Sequence, residues 1–373
     1  MSSSETNRNY GIDLLRIISM LMICMLHTLG QGGILNNVKD YTPAGEIFWF
    51  MEIACFGAVN IYALISGYVG QSGKVKYSNI ISLWLQVAFY TVTITVISVA
   101  VGWVEPGVDV FLRAAFPVFF SQYWYFTAYF CMFFFIPLMN FLINSAPRKT
   151  LVFAFSAVMV LFSVGDSIMQ HSAYGLGNGY TVLWISVMYM VGAYIHKYHK
   201  NDKPKPLMWL LVYLGSTLIT LASRYLIHAL RGVGYTFFGE KFLVKYISPT
   251  IVLAAVALFN LFRTLKVGGV ASKIIGAISP MTFGVYIIHE HVILNKHVLA
   301  NRCVPFLENP LAVSVIFVLL TALAIYVLCS VIDFLRIQLF KLIRVKKFSA
   351  WLEKALAGLI EKIAESFGIC REE

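Results

Sequence analysis

The sequence predicts an all-α membrane protein: a polytopic bundle of about ten transmembrane helices followed by a C-terminal amphipathic helix. Three observations predict it. Of the 373 residues, 59% are hydrophobic and 13% charged, with a mean hydropathy of +0.76, which is too apolar for an ordinary soluble domain. The apolar residues gather in stretches long enough to span a bilayer, broken by polar or Pro/Gly-containing turns. The net charge of +11 is concentrated in alternate connections. Lys and Arg placed that way follow the positive-inside rule and the pull of anionic lipid, so no nucleic-acid partner is implied.

In chain order the spans fall at 11–31, 45–70, 78–102, 117–143, 150–170, 180–198, 206–228, 244–264, 274–295 and 310–341. Ten spans place both termini on one side. If that side is cytoplasmic, the inner connections hold Lys74 and Lys76, Arg148 and Lys149, Lys197 through Lys205, and Arg263, Lys266 and Lys273. The outer ones spread Lys39, Arg113, Arg231, Lys241, Lys245, Lys296 and Arg302 among Asp40, Glu105, Asp109, Glu240 and Glu308. A multi-pass protein of the plasma (inner) membrane with cytoplasmic N- and C-termini is therefore expected. The first apolar run carries Asp13, Arg16 and His27 and has no small-residue cleavage site, so it reads as a retained helix.

Residues 1–343 form the expected membrane domain and 344–373 a cytoplasmic tail. In that tail a basic run through Lys347 leads into a segment whose apolar residues recur at helical spacing, which predicts a helix lying on the membrane surface. No tandem repeat, low-complexity segment or extramembrane domain is apparent. The six cysteines form no CxxC spacing, so neither a disulfide framework nor a zinc site is implied.

Arg16 and His27 lie eleven residues apart on the first span, within about 20° of the same helix face and about 16 Å apart along the axis. Ionisable groups in a membrane helix face the protein interior and mark function by default. Asp13 and Arg16, three apart, can pair; an ion pair that merely orients a helix end remains an open reading. His27 has the titration range of a proton-transfer group, although a lone buried histidine is also a common structural group.

The Arg-x10-His pattern of Arg16 and His27, preceded by Asp13, resembles the signature of membrane-bound acyltransferase family 3. Further segments agree in order. Ile65-Ser66-Gly67-Tyr68 is similar to that family's Ser-Gly-Phe turn, with Tyr in place of Phe. Gln122-Tyr123-Trp124-Tyr125-Phe126, followed by Pro137-Leu138-Met139-Asn140, resembles its aromatic helix and Pro-Leu-x-Asn exit. Ser279-Pro280-Met281-Thr282-Phe283-Gly284-Val285-Tyr286-Ile287-Ile288-His289 resembles its Ser-x-x-Ser/Thr-x-Gly-x-Tyr-Leu-Ile-His segment. The matches run from residue 11 to about residue 291.

The resemblance implies an O-acyltransferase that moves an acetyl or other acyl group from cytoplasmic acetyl-CoA to a hydroxyl of an exported or cell-envelope glycan, with no metal. It makes His27 the expected general base, with Arg16, held by Asp13, engaging the coenzyme A donor from the cytoplasmic side. The separation of about 16 Å is comparable with an extended pantetheine arm. A covalent acyl-His27 intermediate is a second version of that chemistry. Expected substrate-binding residues are Glu52, Ser66, Tyr68, Trp124, Tyr125, Tyr286 and His289, with Ser66 a candidate donor to the acyl carbonyl. The run His289-Glu290-His291 is a poor metal motif on a helix, because side chains two apart diverge. Asp166, His171 and Arg224 are expected at solvated outer span ends.

The rival reading is a transporter of a small polar molecule such as an amino acid, with the same charges lining its path. Membrane domains of vancomycin-resistance serine racemases resemble this family too. A purely structural partner of an export complex is a third. The acceptor and the oligomeric state are not legible in the sequence.

Overall fold

The computed structural model describes residues 8–71, 73–170, 174–239 and 241–367, and all of their regular structure is helical. The principal helices are α1 (Tyr10–Leu29), α2 (Pro43–Cys55), α3 (Ala58–Gly70), α4 (Tyr77–Ala100), α5 (Val108–Ala115), α6 (Trp124–Phe133), α7 (Ile136–Ser145) and α8 (Arg148–Val158). They continue with α9 (Val182–His199), α10 (Pro206–Gly232), α11 (Pro249–Arg263), α12 (Gly269–Ile278), α13 (Thr282–His289), α14 (Leu311–Leu342) and α15 (Val345–Ser366). Helix α8 runs on through widened turns to Met169.

Each of the ten expected spans contains helix, yet among the described residues seven helical stretches are long and apolar enough to cross a membrane. An eighth is added if α6 and α7, bent by 59° at their junction, count as one. The bend falls just before Pro137, which offers no N–H to continue the α6 ladder. Two expected spans fall short for physical reasons. Helix α11 has 15 residues, about 22 Å of rise against a hydrocarbon core of about 30 Å. Helix α9 ends in His196, Lys197 and His199, and Lys197 donates to the free carbonyls of Ile143 and Asn144 at the end of α7.

Helix α1 is central. In the most apolar stretch of its span 67% of residues are buried, against 22% for Pro206–Gly232 and 28% for Leu311–Leu342, whose Leu, Ile and Val side chains stay exposed as lipid-facing residues do. Helices α2, α3, α11, α12, α13 and α14 all pack on α1. Its first turn is capped by Asn9, whose side chain accepts from the Ile12 N–H.

Helix α3 lies against α9 closely enough that a Cβ on Gly67 would stand 1.8 Å from the Tyr189 carbonyl oxygen, and one on Gly192 2.1 Å from that of Leu64. Small residues at such crossings let backbones touch in a membrane, where packing replaces the hydrophobic drive. Asn140 locks the same corner, donating to Gly70 O and accepting from Tyr189 Oη. The Ser-Gly-Tyr turn and the Pro-Leu-x-Asn exit therefore meet at one structural joint.

Helix α15 is amphipathic and packs by its first half on α4: Glu353 accepts from the Tyr77 N–H at 2.7 Å, capping α4, and Ser349 and Ser82 hydroxyls are 2.9 Å apart. Those contacts hold the Glu353 carboxyl below its ordinary range, through hydrogen bonds from Ser78 and the Tyr77 backbone.

Replacing Gly67 or Gly192 with Ala should push α3 and α9 apart and cost about 1–3 kcal/mol of stability. Thermal unfolding of each variant in detergent, against a Gly215→Ala control in open space, checks this.

Candidate functional site

The site is assembled by α1 and by the helical stretch Gly269–His289, which touch at two places. At one end Asp13, 2% exposed, accepts from Arg8 Nε at 2.5 Å, Arg16 Nη1 at 2.6 Å and Ser279 Oγ at 3.2 Å. Three donors, two of them guanidinium, meet the charge of this carboxylate in an apolar setting. Arg16 is held by one nitrogen, and 30% of its side chain remains exposed.

At the other end His27 Nδ1 lies 2.8 Å from His289 Nε2 and 2.9 Å from Glu290 Oε2. The tautomers follow from the partners. His289 Nδ1 is 2.5 Å from the Val285 carbonyl oxygen, which can only accept, so that nitrogen carries the hydrogen and Nε2 of the neutral ring offers a lone pair. His27 Nδ1 must then donate, shared between that lone pair and the Glu290 carboxylate, and His27 Nε2 keeps the free lone pair. Gln31 steadies Glu290, its Nε2 reaching both carboxylate oxygens at 3.3 Å, and Asn295 in turn donates to Gln31 Oε1. A carboxylate that orients an imidazole through Nδ1 and stabilises its protonated form is the arrangement of an activated base.

His27 lines a cavity of about 50 Å³, larger than the ~10–15 Å³ needed for one water. Along α1 its wall is Met20, Ile23 and His27, the same stripe that carries Arg16 one turn earlier. Tyr62, Trp124, Tyr125, Tyr246 and Tyr286 complete much of the wall. Tyr62 also donates to the Arg16 carbonyl oxygen at 2.8 Å, so it bridges the two ends of the stripe. Rings of Trp124, Tyr180 and Tyr246 pack on one another at 4.4–5.8 Å, and Tyr180 is exposed, so this trio stands between cavity and surface.

Of the residues singled out from sequence, Trp124, Tyr125 and Tyr286 line the cavity with His27, and His289 supports His27 from behind. Ser66 donates to Tyr62 O at 2.9 Å and does not reach the cavity wall. Tyr68 packs its ring on His196 and Phe259. Glu52 is buried on α2 without a hydrogen-bond partner for Oε2, outside the cavity wall. Arg224 is not solvated: it is 1% exposed, paired with Asp40 at 2.9 Å and Glu46 at 3.4 Å and laid 3.9 Å over the Trp49 ring. Asp166 is also buried, and His171 lies outside the described residues. Sequence reasoning gives no role to Glu290, Gln31, Tyr62, Tyr180 or Tyr246; Glu290, which follows directly on the last motif, is the most accessible of them.

His27 Nδ1, His289 Nε2 and a Glu290 oxygen lie within 4.8 Å of one another, a donor set that could hold a divalent metal. Two of the separations, 2.8 and 2.9 Å, are hydrogen-bond distances, shorter than the ~3.3 Å edge between ligands at about 2.0–2.1 Å from a tetrahedral zinc. The trio as it stands is a hydrogen-bonded relay.

The fold and the site are those of a multi-pass helical bundle with a histidine, oriented by a carboxylate and a second imidazole, at an internal cavity, and an Asp-Arg pair on the same helix. The chain belongs to acyltransferase family 3: that family's acyltransferase domain matches residues 9–331, from the start of α1 into α14. It is therefore a membrane acyltransferase. Neither the search of curated proteins nor that of solved structures found a match.

The tautomers give a direct expectation. In protein labelled with ¹⁵N-histidine, His27 and His289 should both appear as the Nδ1–H form at neutral to alkaline pH, and the Glu290→Gln variant should redistribute His27 alone. A dominant Nε2–H form of His27 would break the assignment.

Proposed function

We propose that this chain transfers an acetyl or related acyl group from cytoplasmic coenzyme A thioester to a hydroxyl of an exported or cell-envelope glycan, with His27 as general base. The observation that carries the proposal is His27, held through Nδ1 by His289 and Glu290, in the wall of a cavity that Met20 and Ile23 of the same α1 stripe also line. Arg16, anchored by Asp13, engages the donor at the cytoplasmic end, and the pantetheine arm lies along Met20 and Ile23 past Tyr62. The acceptor enters at the other end, by the aromatic trio. Its oxygen attacks the thioester carbonyl carbon while its proton passes to His27 Nε2; Glu290 stabilises the imidazolium. Collapse breaks the carbon–sulfur bond, and the thiolate takes the proton back.

The positive-inside pattern supports cytoplasmic termini in the plasma membrane, the side on which the donor is made. We place residues 344–373 outside the catalytic part, with the exposed Trp351, Leu359, Ile360 and Ile363 of α15 in contact with lipid.

Membranes containing the full chain should move label from acetyl-labelled acetyl-CoA into the envelope glycan fraction. His27→Ala should lower kcat by about 10²–10⁴, the usual contribution of a positioned base. Arg16→Ala should raise KM for acetyl-CoA more than it lowers kcat. Flux of a small solute with no thioester turnover would overturn the proposal in favour of a carrier.

A further inference from the structure

Proton removal by His27 accounts for one half of acyl transfer; the other half is the negative charge that develops on the thioester carbonyl oxygen. The cavity must hold a donor for it. Ser66, the donor expected from sequence, is turned away and bonded to Tyr62 O. Tyr62 itself donates to Arg16 O. Tyr246 pairs with the Tyr180 side chain, and the two other hydroxyls of the cavity wall, Tyr286 Oη and Tyr125 Oη, are both buried and have no hydrogen-bond partner.

Buried hydroxyls without partners cost about 1–3 kcal/mol each, so a pair of them in one small cavity calls for a ligand that accepts hydrogen bonds. Tyr286 is 6% exposed, and its ring is held between those of Tyr123 at 5.8 Å and Tyr125 at 6.4 Å. Tyr286 also stands three residues before His289 on α13, so one rigid turn fixes it relative to the group that holds His27.

We propose that Tyr286, assisted by Tyr125, is the oxyanion donor of this site, binding the thioester carbonyl oxygen of the acyl-CoA. The inference rests on the acyltransferase reading of the cavity. When the acceptor oxygen forms its bond to the carbonyl carbon, the carbonyl π pair moves onto oxygen and the Tyr286 hydrogen bond shortens toward it without giving up its proton. The acceptor's proton is on His27. As the pair returns to re-form the carbonyl, the carbon–sulfur bond breaks, sulfur leaves with its electrons, and His27 protonates it. The ester and free coenzyme A account for all atoms. The donor hydrogen bond is made in full only while oxygen carries charge, so it acts on kcat and little on ground-state binding.

The test uses full-length protein in membranes, with acetyl-labelled acetyl-CoA and the envelope glycan fraction, comparing wild type, His27→Ala, Tyr286→Phe and Tyr125→Phe/Tyr286→Phe. Tyr286→Phe should lower kcat by about 100-fold, the usual loss of one such donor, with KM for acetyl-CoA nearly unchanged. The double variant should lose more. Wild-type transfer that dies in His27→Ala but persists at full kcat in Tyr286→Phe would overturn the donor assignment and leave the base in place. No transfer by wild type would overturn both. A second variant covers the case in which Tyr286→Phe fails to accumulate: 3,5-difluorotyrosine at position 286 keeps the hydroxyl and ionises at lower pH. Because a phenolate cannot donate, kcat should acquire a new alkaline decline; an unshifted pH profile would overturn the assignment.

Discussion

Polar groups carried through a bilayer by α1 must find partners on other helices, and the rest of the structure is organised by where those partners come from. Asp13 and His27 stand fourteen residues apart, about 21 Å of helix, and both are answered by the stretch Gly269–His289 and the residue that follows it. Ser279 reaches Asp13 at one end; His289 and Glu290 reach His27 at the other. The two helices therefore run parallel and are clamped at both ends, with the cavity between the clamps. Leaving one partner of a buried charge pair alone costs about 3–5 kcal/mol, so the clamps also fix the register of the pair.

The same constraint explains why one helix pair supplies most of the chemistry. Arg16 and His27 are placed by helical periodicity, whereas their protonation and orientation come from across the interface. Asp13 is saturated by three donors, which leaves Arg16 a partly exposed cation. His27 is held through Nδ1 by a neutral ring and a carboxylate, which leaves Nε2 free. Rigid elements carry all of these groups, so the distances between His27, Arg16 and the hydroxyls of Tyr125 and Tyr286 are set by packing.

Periodicity makes the Arg16–His27 face and the Asp13–Arg16 pair legible in the sequence alone, because both are local to one helix. The family resemblance adds Trp124, Tyr125, Tyr286 and His289, which the fold brings to or behind the cavity. What stays hidden is set by distant partners. Glu290 reads as the polar end of a span until His27, 263 positions earlier, meets it. Arg224 reads as solvated because Asp40 and Glu46, which bury it, lie far back in the chain. Ser66 and Tyr68 sit in a motif that resembles a site, yet the glycine between them serves the α3–α9 crossing, and Ser66 bonds back to the Tyr62 carbonyl of its own helix. Hydropathy places a span at 244–264, and only the fold shows that its helix, α11, has 15 residues.

Under the proposed reaction, transfer to a glycan hydroxyl has to outrun transfer to water, a far more concentrated nucleophile, and this sets a requirement on the cavity beyond the groups proposed to act in it. The wall around His27 is built mainly from Met20, Ile23, Leu26, Val59 and aromatic rings, and its volume of about 50 Å³ leaves little room for solvent beside a thioester. Trp124 and Tyr246 of the wall pack on the exposed Tyr180 ring, so an acceptor that enters there must displace or stack on them to reach His27. An aromatic surface suits a sugar ring, whose C–H face it can cover, and is poorly wetted when empty. Occupancy by the acceptor and exclusion of water thus become the same event. A thioester that arrives along the Arg16 stripe would wait in a dry cavity until the hydroxyl it is meant to acylate closes the other end.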